Sequence, residues 1–274
     1  MWQQVRTTRL LDYLGPDVGV GYDECTMSDL MINILSALGV SVIITAMAKV
    51  QRQKIKAVLY TLPFPITIAL IGSNSVGTSL SILGLMLTGC FLWGSYFLHF
   101  KAGIQVLYVD VFLTIVYVAA AYVLAQSVDV SFWVMFALYM TGWVLLMVLF
   151  RTKTFTFRAK LPAKTNVWLK AVTVFGIAFA LFSAHQYLAA FVVTFPYNGV
   201  FAVYENRAGL LPQAALFTRN SIALVAYFAA NYMIGLQQTD IVRYAGSWFA
   251  FGVVLILANR LIKVQVKDLA STAK

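Results

Sequence analysis

Long apolar runs separated by short polar segments dominate this sequence of 274 residues. A run of about 20 apolar residues is what a helix needs to cross the hydrocarbon core of a bilayer. Only 11% of the residues are charged, whereas an ordinary soluble domain has about 25%. These features predict an all-α polytopic membrane protein. They exclude a water-soluble enzyme, a disordered chain and a disulfide-stapled secreted module.

The apolar runs predict about nine transmembrane helices. Their expected ranges are 30–48, 57–72, 78–99, 104–125, 132–150, 167–185, 187–204, 210–235 and 243–262. The second and seventh are short and contain prolines, at Pro63 and Pro65 in one and at Pro196 in the other. Because proline removes a backbone donor and clashes with the preceding turn, we expect both spans to be kinked or discontinuous.

The basic residues predict the orientation of the chain. Under this assignment, 16 of the 20 Lys and Arg residues fall on one side of the membrane, and basic residues collect in cytoplasmic loops. The amino terminus is therefore predicted outside and the carboxyl terminus in the cytoplasm. The polar, acidic start of the chain lacks the basic and apolar regions of a signal peptide. The net charge of +10 is explained by this topology, so no nucleic-acid partner is expected.

Two segments of the chain resemble each other. Residues 57–98 and 189–229 each pass through Phe-Pro, an apolar stretch, a turn with Asn and Gly, and a long span with a late Tyr-Phe. The identities are few, so chance similarity of two apolar segments is the alternative. If the repeat is real, spans one to four correspond to spans six to nine. Because equivalent spans are then an odd number apart, the two halves are inverted, as in many secondary transporters.

The repeat divides the chain into five parts. They are an extracytoplasmic segment (1–28), a first four-helix repeat (29–126), a connector helix with a basic cytoplasmic loop (127–164), a second, inverted four-helix repeat (165–264) and a cytoplasmic tail (265–274).

The second half also carries a family resemblance. It begins LKAVTVFGIAFALFSA, continues through LAAFVVTFPYNGVFAVYENRAGL and ALFTRNSIALVAYFAANYMIGL, and ends GSWFAFGVVLILANRLI. This order resembles the GlpM-like small four-span bacterial inner-membrane proteins, here duplicated and fused through an extra span. The resemblance covers 165–263 well and 30–125 weakly, because Ser73, Asn74 and Ser75 stand where Glu205, Asn206 and Arg207 do. It implies a fold and a multi-pass location in the bacterial inner (plasma) membrane, rather than a reaction.

Two ionisable residues stand out well inside predicted spans, Arg219 in span eight and Asp110 in span four. Such groups cost about 2.5–3.5 kcal/mol at the centre of a span, so they usually face protein or water. We expect Arg219, with its neighbour Asn220, to bind an anionic or zwitterionic solute, and Asp110 to be a proton- or cation-coupling site. A structural ion pair, or a hydrogen bond to unwound backbone, is the alternative.

The interrupted spans supply the other expected site residues. Broken helices expose backbone carbonyls and helix ends, where transporters bind solutes and ions. Beside the breaks, the residues expected to bind substrate are Thr61, Thr67, Thr194 and Asn198, and the expected hinges are Pro63, Pro65 and Pro196. A purely structural kink is the alternative for the hinges. Glu205 and Arg207 are either a salt-bridged gate at the cytoplasmic mouth or solvated loop charges.

The function predicted from these patterns is transport. The sequence has no P-loop, HExxH or GxSxG motif and no Cys/His cluster with metal spacing, so we expect no enzyme, cofactor or metal site. We expect a secondary transporter or permease for a small solute, working by alternating access between the halves. The alternative is a non-transporting subunit, anchor or assembly protein of a larger complex, docked through the basic loop RTKTFTFRAKLPAKTN. The expected partners are the lipid bilayer and the solute, with a homodimer or a membrane-complex partner left open.

Overall fold

A computed structural model of the chain describes residues 27–48, 50, 58–72, 76–150, 154–157, 167–188, 190–197, 199–200, 203, 209–235, 240–262 and 265–268. This part of the chain is almost entirely helical. Its helices are α1 (Met27–Ala48), α2 (Phe64–Gly72), α3 (Ser79–Tyr96), α4 (Val106–Ser127), α5 (Phe132–Phe150), α6 (Val167–Ser183), α7 (His185–Leu188), α8 (Phe191–Thr194), α9 (Leu210–Gly235) and α10 (Asp240–Leu261). A π-helical turn, Phe97–Lys101, continues α3. Two short strands, β1 (Thr154–Phe157) and β2 (Gln265–Asp268), complete the described elements.

Five of these helices are long and apolar enough to cross a membrane: α1, α3 with its π-helical turn, α4, α5 and α10. Their outer surfaces are apolar, as on α4, where Leu107, Val111 and Ile115 are all more than half exposed. A surface of that kind and extent fits lipid rather than water. The chain is therefore a helical, multi-pass membrane protein.

The other four predicted spans have a different form. Helix α6 has only 17 residues, and spans two and seven are represented by the short helices α2, α7 and α8. Helix α9 has 26 residues, which is about 39 Å at 1.5 Å per residue, but its polar residues reduce its apolar character. Length and composition thus identify five spans in the described part of the chain, and the nine-span count stays a prediction.

Helix α9 lies at the centre of the bundle, and most of its residues are buried. Its polar groups are bound by neighbouring helices: Trp143 Nε1 donates to Thr218 O (2.8 Å), Trp93 Nε1 donates to Thr218 Oγ1 (3.1 Å), and Tyr139 Oη donates to Ser221 Oγ (2.6 Å). Buried polar groups that are hydrogen-bonded avoid the cost of desolvation. A polar central helix is therefore compatible with an apolar exterior formed by α4, α5 and α10.

Two short strands accompany the helices. β1 and β2 form a parallel pair in which Thr154 is opposite Gln265 and Phe157 is opposite Asp268. The TFTF sequence of β1 alternates between polar and apolar residues with the period-two pattern of a strand, whereas QVKD in β2 does not alternate regularly. The two strands lie in segments predicted as a loop and a tail. A two-stranded sheet is marginal by itself. Here Phe155 anchors it, because its side chain is buried in a cluster with Met147, Phe150 and Ala215.

The turn before α3 is tied to α9 by one buried hydrogen bond, from Gly77 N to Asn231 Oδ1 (2.9 Å). Replacing Asn231 with Leu keeps the size of the side chain but leaves the Gly77 N–H unpaired. We expect Asn231→Leu to lower the free energy of unfolding by about 1–3 kcal/mol. The measurement is the apparent Tm of purified protein in detergent.

Asn259→Leu is the matched control, because Asn259 is exposed on α10 and bonds its own helix through Leu255 O. Equal losses of Tm in the two variants would contradict a specific role for the Gly77–Asn231 bond.

Candidate functional site

The helical path of predicted span two is interrupted just before α2. The chain turns between residues 60 and 63, and α2 begins at Phe64. Pro65 therefore lies in the first turn of the helix, where its missing N–H removes no helical hydrogen bond. The Pro63 carbonyl accepts from Thr67 N (2.8 Å). The two prolines thus begin a short helix rather than bend a continuous one.

The path of predicted span seven is interrupted at Phe195–Pro196. Helix α8 ends at Thr194, and Phe195 follows with φ −54° and ψ 136°. A residue that precedes proline is sterically pushed out of the helical region, so the Phe-Pro step itself explains the break. A new turn then starts, in which Val200 N donates to Pro196 O (3.0 Å).

The first break is held by helices of the other half of the chain. Thr67 on α2 lies 2.9 Å from Tyr227 Oη on α9, and Trp248 Nε1 on α10 donates to Thr67 Oγ1 (3.1 Å). Thr67 Oγ1 itself donates to Pro63 O (2.8 Å). With one proton and two lone pairs, this hydroxyl is fully used by these three contacts, so Thr67 anchors the segment and has no capacity left for a solute.

The second break is held in the reciprocal way. Thr88 Oγ1 on α3 donates to Thr194 O (2.7 Å), and Tyr117 Oη on α4 lies 3.3 Å from Thr194 Oγ1. Tyr117 Oη also donates to Phe191 O (3.3 Å). Each interrupted segment is thus hydrogen-bonded by the two long helices that follow the other interrupted segment in sequence.

Both breaks line one cavity of about 60 Å³, which is room for a small number of water molecules. Its polar side chains come from both halves and are all neutral: Tyr60, Thr61, Thr88, Thr194, Tyr197 and Gln213. The rest of the lining is glycine or apolar: Leu62, Pro65, Ile66, Leu85, Leu92, Val193, Phe195, Pro196, Gly199, Phe217 and Leu224. The cavity is therefore a neutral, partly polar compartment inside an apolar bundle.

The structure brings several of the expected residues together here. Thr61 and Pro65 line the cavity from the first break, and Thr194 and Pro196 line it from the second. Asn220 lies directly behind the lining, with its Nδ2 3.4 Å from Thr61 Oγ1. Pro63 is buried at the start of the first break. The substrate-binding and hinge roles of these residues remain predictions.

Arg219 is placed differently from expectation. It is buried, with 7% of its surface exposed, but it does not belong to the cavity lining. Gln213, Phe217 and Leu224 project from the face of α9 that lines the cavity, and at 100° per residue Arg219 points well away from that face. Among the described residues its one hydrogen bond runs from Nε to Asn220 Oδ1 (3.0 Å). Arg219 thus orients Asn220 and contacts the cavity only through it.

Asp110 lies apart from the cavity, early in α4. Its side chain is buried, and its Oδ1 has no hydrogen-bond partner in the part of the chain that the structure describes. One turn earlier, Val106 packs in a cluster with Phe91, Leu92 and Leu210. Asp110 is therefore a buried carboxyl group, and its coupling role stays a prediction.

Three expected residues, Asn198, Glu205 and Arg207, fall outside the side chains that the structure describes. Sequence reasoning also missed four polar residues of the lining: Tyr60, Thr88, Tyr197 and Gln213. Little in the sequence indicates that these residues line a site. Neutral polar residues are common in membrane spans, and most of them only form a hydrogen bond to a neighbouring helix. Within the described ranges, no three His, Cys, Asp or Glu residues are close enough to hold a metal ion.

Compared with known protein families, curated proteins and solved structures, the chain matches none of them. The cavity and its two helix breaks are therefore the features that point to a function.

Close approach of α3 to the second break depends on Gly84. A Cβ at this position would overlap the Thr194 side chain, lying 2.9 Å from Thr194 Cβ. Gly89, on the same helix, has nothing within 4 Å of its Cβ position. Alanine stabilises either position by about 1 kcal/mol through helix propensity, but overpacking at Gly84 costs about 1–3 kcal/mol.

We expect Gly84→Ala to be less stable than Gly89→Ala by about 1–3 kcal/mol. Chemical unfolding in detergent, followed by tryptophan fluorescence, measures the difference. Equal stability of the two variants would show that α3 and the second break are not tightly packed at this point.

Proposed function

We propose that the chain is a secondary transporter or permease for a small solute, which binds in the cavity between the two helix breaks. One observation carries the proposal: two interrupted helices from different halves meet around one shared cavity. Interrupted helices at membrane depth are tolerated where protein or a water-filled cavity satisfies the freed backbone groups. Transporters place solute sites at such points.

The reciprocal contacts support the inverted repeat and the nine-span topology that form part of this proposal. Helix α2 is bonded by α9 and α10, and α8 is bonded by α3 and α4. An exchange of this kind is expected when two similar halves are related by a pseudo-two-fold axis in the membrane plane. The proposed orientation has the amino terminus outside a bacterial inner membrane, in keeping with the GlpM-like resemblance.

Alternating access would use the breaks as hinges. The segments at residues 60–63 and 195–196 lack continuous helical hydrogen bonding, so they can change backbone angles at a lower cost than the long helices beside them. The long helices of the two halves would then rock around the cavity. Asp110, whose Oδ1 is buried and unpartnered among described groups, is the proposed coupling residue.

Cysteine accessibility tests the proposal. Leu62→Cys and Val193→Cys place one thiol at each break on the cavity lining, in a chain whose Cys25 and Cys90 are replaced by Ser. A membrane-impermeant methanethiosulfonate reagent is applied to right-side-out and to inside-out vesicles. Alternating access predicts that both positions are modified from both sides, because the cavity opens to each side in turn.

Leu145→Cys is the control, since Leu145 is 61% exposed on the lipid-facing surface of α5 and its thiol should be unreactive from either side. Modification of the cavity positions from one side alone, under every solute condition, would mean a static cavity and would remove the transport proposal.

The sheet favours a second function, that of a non-transporting subunit or anchor. The β1–β2 pairing brings residues 154–157 of the basic loop beside residues 265–268 of the tail, and basic segments near a membrane attract anionic partners or headgroups. Purification from native membranes distinguishes the two functions. A stoichiometric partner lost upon deletion of residues 265–274 supports the subunit, and a monodisperse single chain supports the transporter.

A further inference from the structure

Three hydroxyl groups of the cavity are already committed as donors. Thr61 Oγ1 donates to Val58 O (2.7 Å), Thr88 Oγ1 donates to Thr194 O (2.7 Å), and Tyr197 Oη donates to Val192 O (3.0 Å). A hydroxyl has one proton and two lone pairs. Backbone carbonyls take the three protons, and Asn220 Nδ2 uses one lone pair of Thr61 Oγ1. Each of the three hydroxyls therefore keeps at least one lone pair for a solute.

The helix breaks are the cause of this arrangement. The carbonyls of Val58, Val192 and Thr194 lie at or beside the interruptions, where a continuous helix would have supplied N–H partners. The Thr88 and Tyr197 hydroxyls supply partners to Thr194 O and Val192 O. At Val58 O the Thr61 hydroxyl adds a second hydrogen bond to the one from Thr61 N (3.0 Å). Tyr60 and Gln213 complete the polar lining, and each has interactions of its own.

The described lining contains no Asp, Glu, Lys, Arg or His. An anion would therefore face oxygen lone pairs without a counter-charge, and a buried unpaired ion is strongly disfavoured. A cation would meet favourable dipoles but no carboxylate, since Asp110 lies elsewhere. An uncharged solute with N–H or O–H donors can use the lone pairs at no such cost, and Leu62, Ile66 and Phe195 provide contacts for a small apolar group.

We propose that the cavity binds a small uncharged solute that donates hydrogen bonds, such as an amide or an alcohol. This inference rests on the proposed function and replaces the anionic solute expected from Arg219. Thr88 and Thr61 are the selecting residues, because each keeps a lone pair while backbone carbonyls hold its proton. These carbonyls are Val58 O for Thr61, and Thr194 O with Gly84 O for Thr88.

Three solutes of nearly equal size and shape provide the test. Acetamide is neutral and donates hydrogen bonds, acetone is neutral and has no N–H or O–H donor, and acetate is an anion. The readout is the apparent Tm of the purified full-length chain as each solute is titrated, because a ligand that binds only the folded state raises Tm with the logarithm of its concentration. We expect acetamide to raise Tm and acetone and acetate to leave it unchanged.

Variants link the effect to the cavity. Thr88→Val and Thr61→Val each remove one acceptor at nearly constant volume, and we expect each to lose most of the acetamide-dependent shift. Thr141→Val is the matched control, because Thr141 is exposed on α5 and its hydroxyl bonds Ala137 O of the same helix. That variant should retain the full shift. Two independent cavity variants keep the test valid if one of them does not fold.

An absent acetamide shift, an equal or larger shift with acetate, or a full shift in both cavity variants overturns the inference. The Tm shifts test only the class of solute. The proposed transport function is tested separately, by cysteine accessibility. Modification of both cavity positions from both sides, together with an acetate shift lost in Thr88→Val, would keep the transport site and reject only the uncharged solute.

Discussion

The hydrogen bonds that satisfy two interrupted helices are the interaction on which the rest of this structure depends. Hydrocarbon offers no partner to a freed backbone group, so a broken helix persists in a bilayer where protein groups or ordered water replace the lost N–H donors. Thr88 and Tyr117 do so at Thr194 and Phe191, while Tyr227 and Trp248 hold α2 through Thr67. Because the partners come from opposite halves of the chain, the breaks draw those halves together and leave the cavity between them.

The bundle is polar at its centre and apolar on its outer surface. Helix α9 carries Thr218, Arg219, Asn220 and Ser221 in one continuous stretch, and all four are buried. The helices around it supply indole and phenol groups that bond this stretch and turn aliphatic and aromatic side chains toward lipid. Small residues allow the close approach this requires, as Gly84 does beside Thr194. The polar stretch that makes α9 a poor membrane span by composition is what makes it suitable as a central helix.

The sequence allowed the long helices to be predicted well, because a span needs only length and apolar composition. The range 132–150 coincides with α5, Phe132–Phe150, and the other four long spans differ from their helices by a few residues. The direction in which a side chain points was harder to predict than its position along the helix. Arg219 lies deep in its helix, as expected, yet only the packing of α9 decides which way it points. Thr88 and Gln213 could not be singled out, because a neutral polar residue gains a site role only through its three-dimensional neighbours. The TFTF strand was overlooked because its flanking basic residues suggested a topological loop.

The small parallel sheet has a mechanical consequence. β1 follows α5 after three residues and β2 follows α10 after three residues, so pairing them ties the ends of these two helices together. Phe155 and Ile262 pack into the same cluster as Phe150, which stiffens the tie. Helix α5 is therefore not a flexible connection between the two halves of the chain. Its end is bound to the end of α10, so any displacement of one helix end would displace the other.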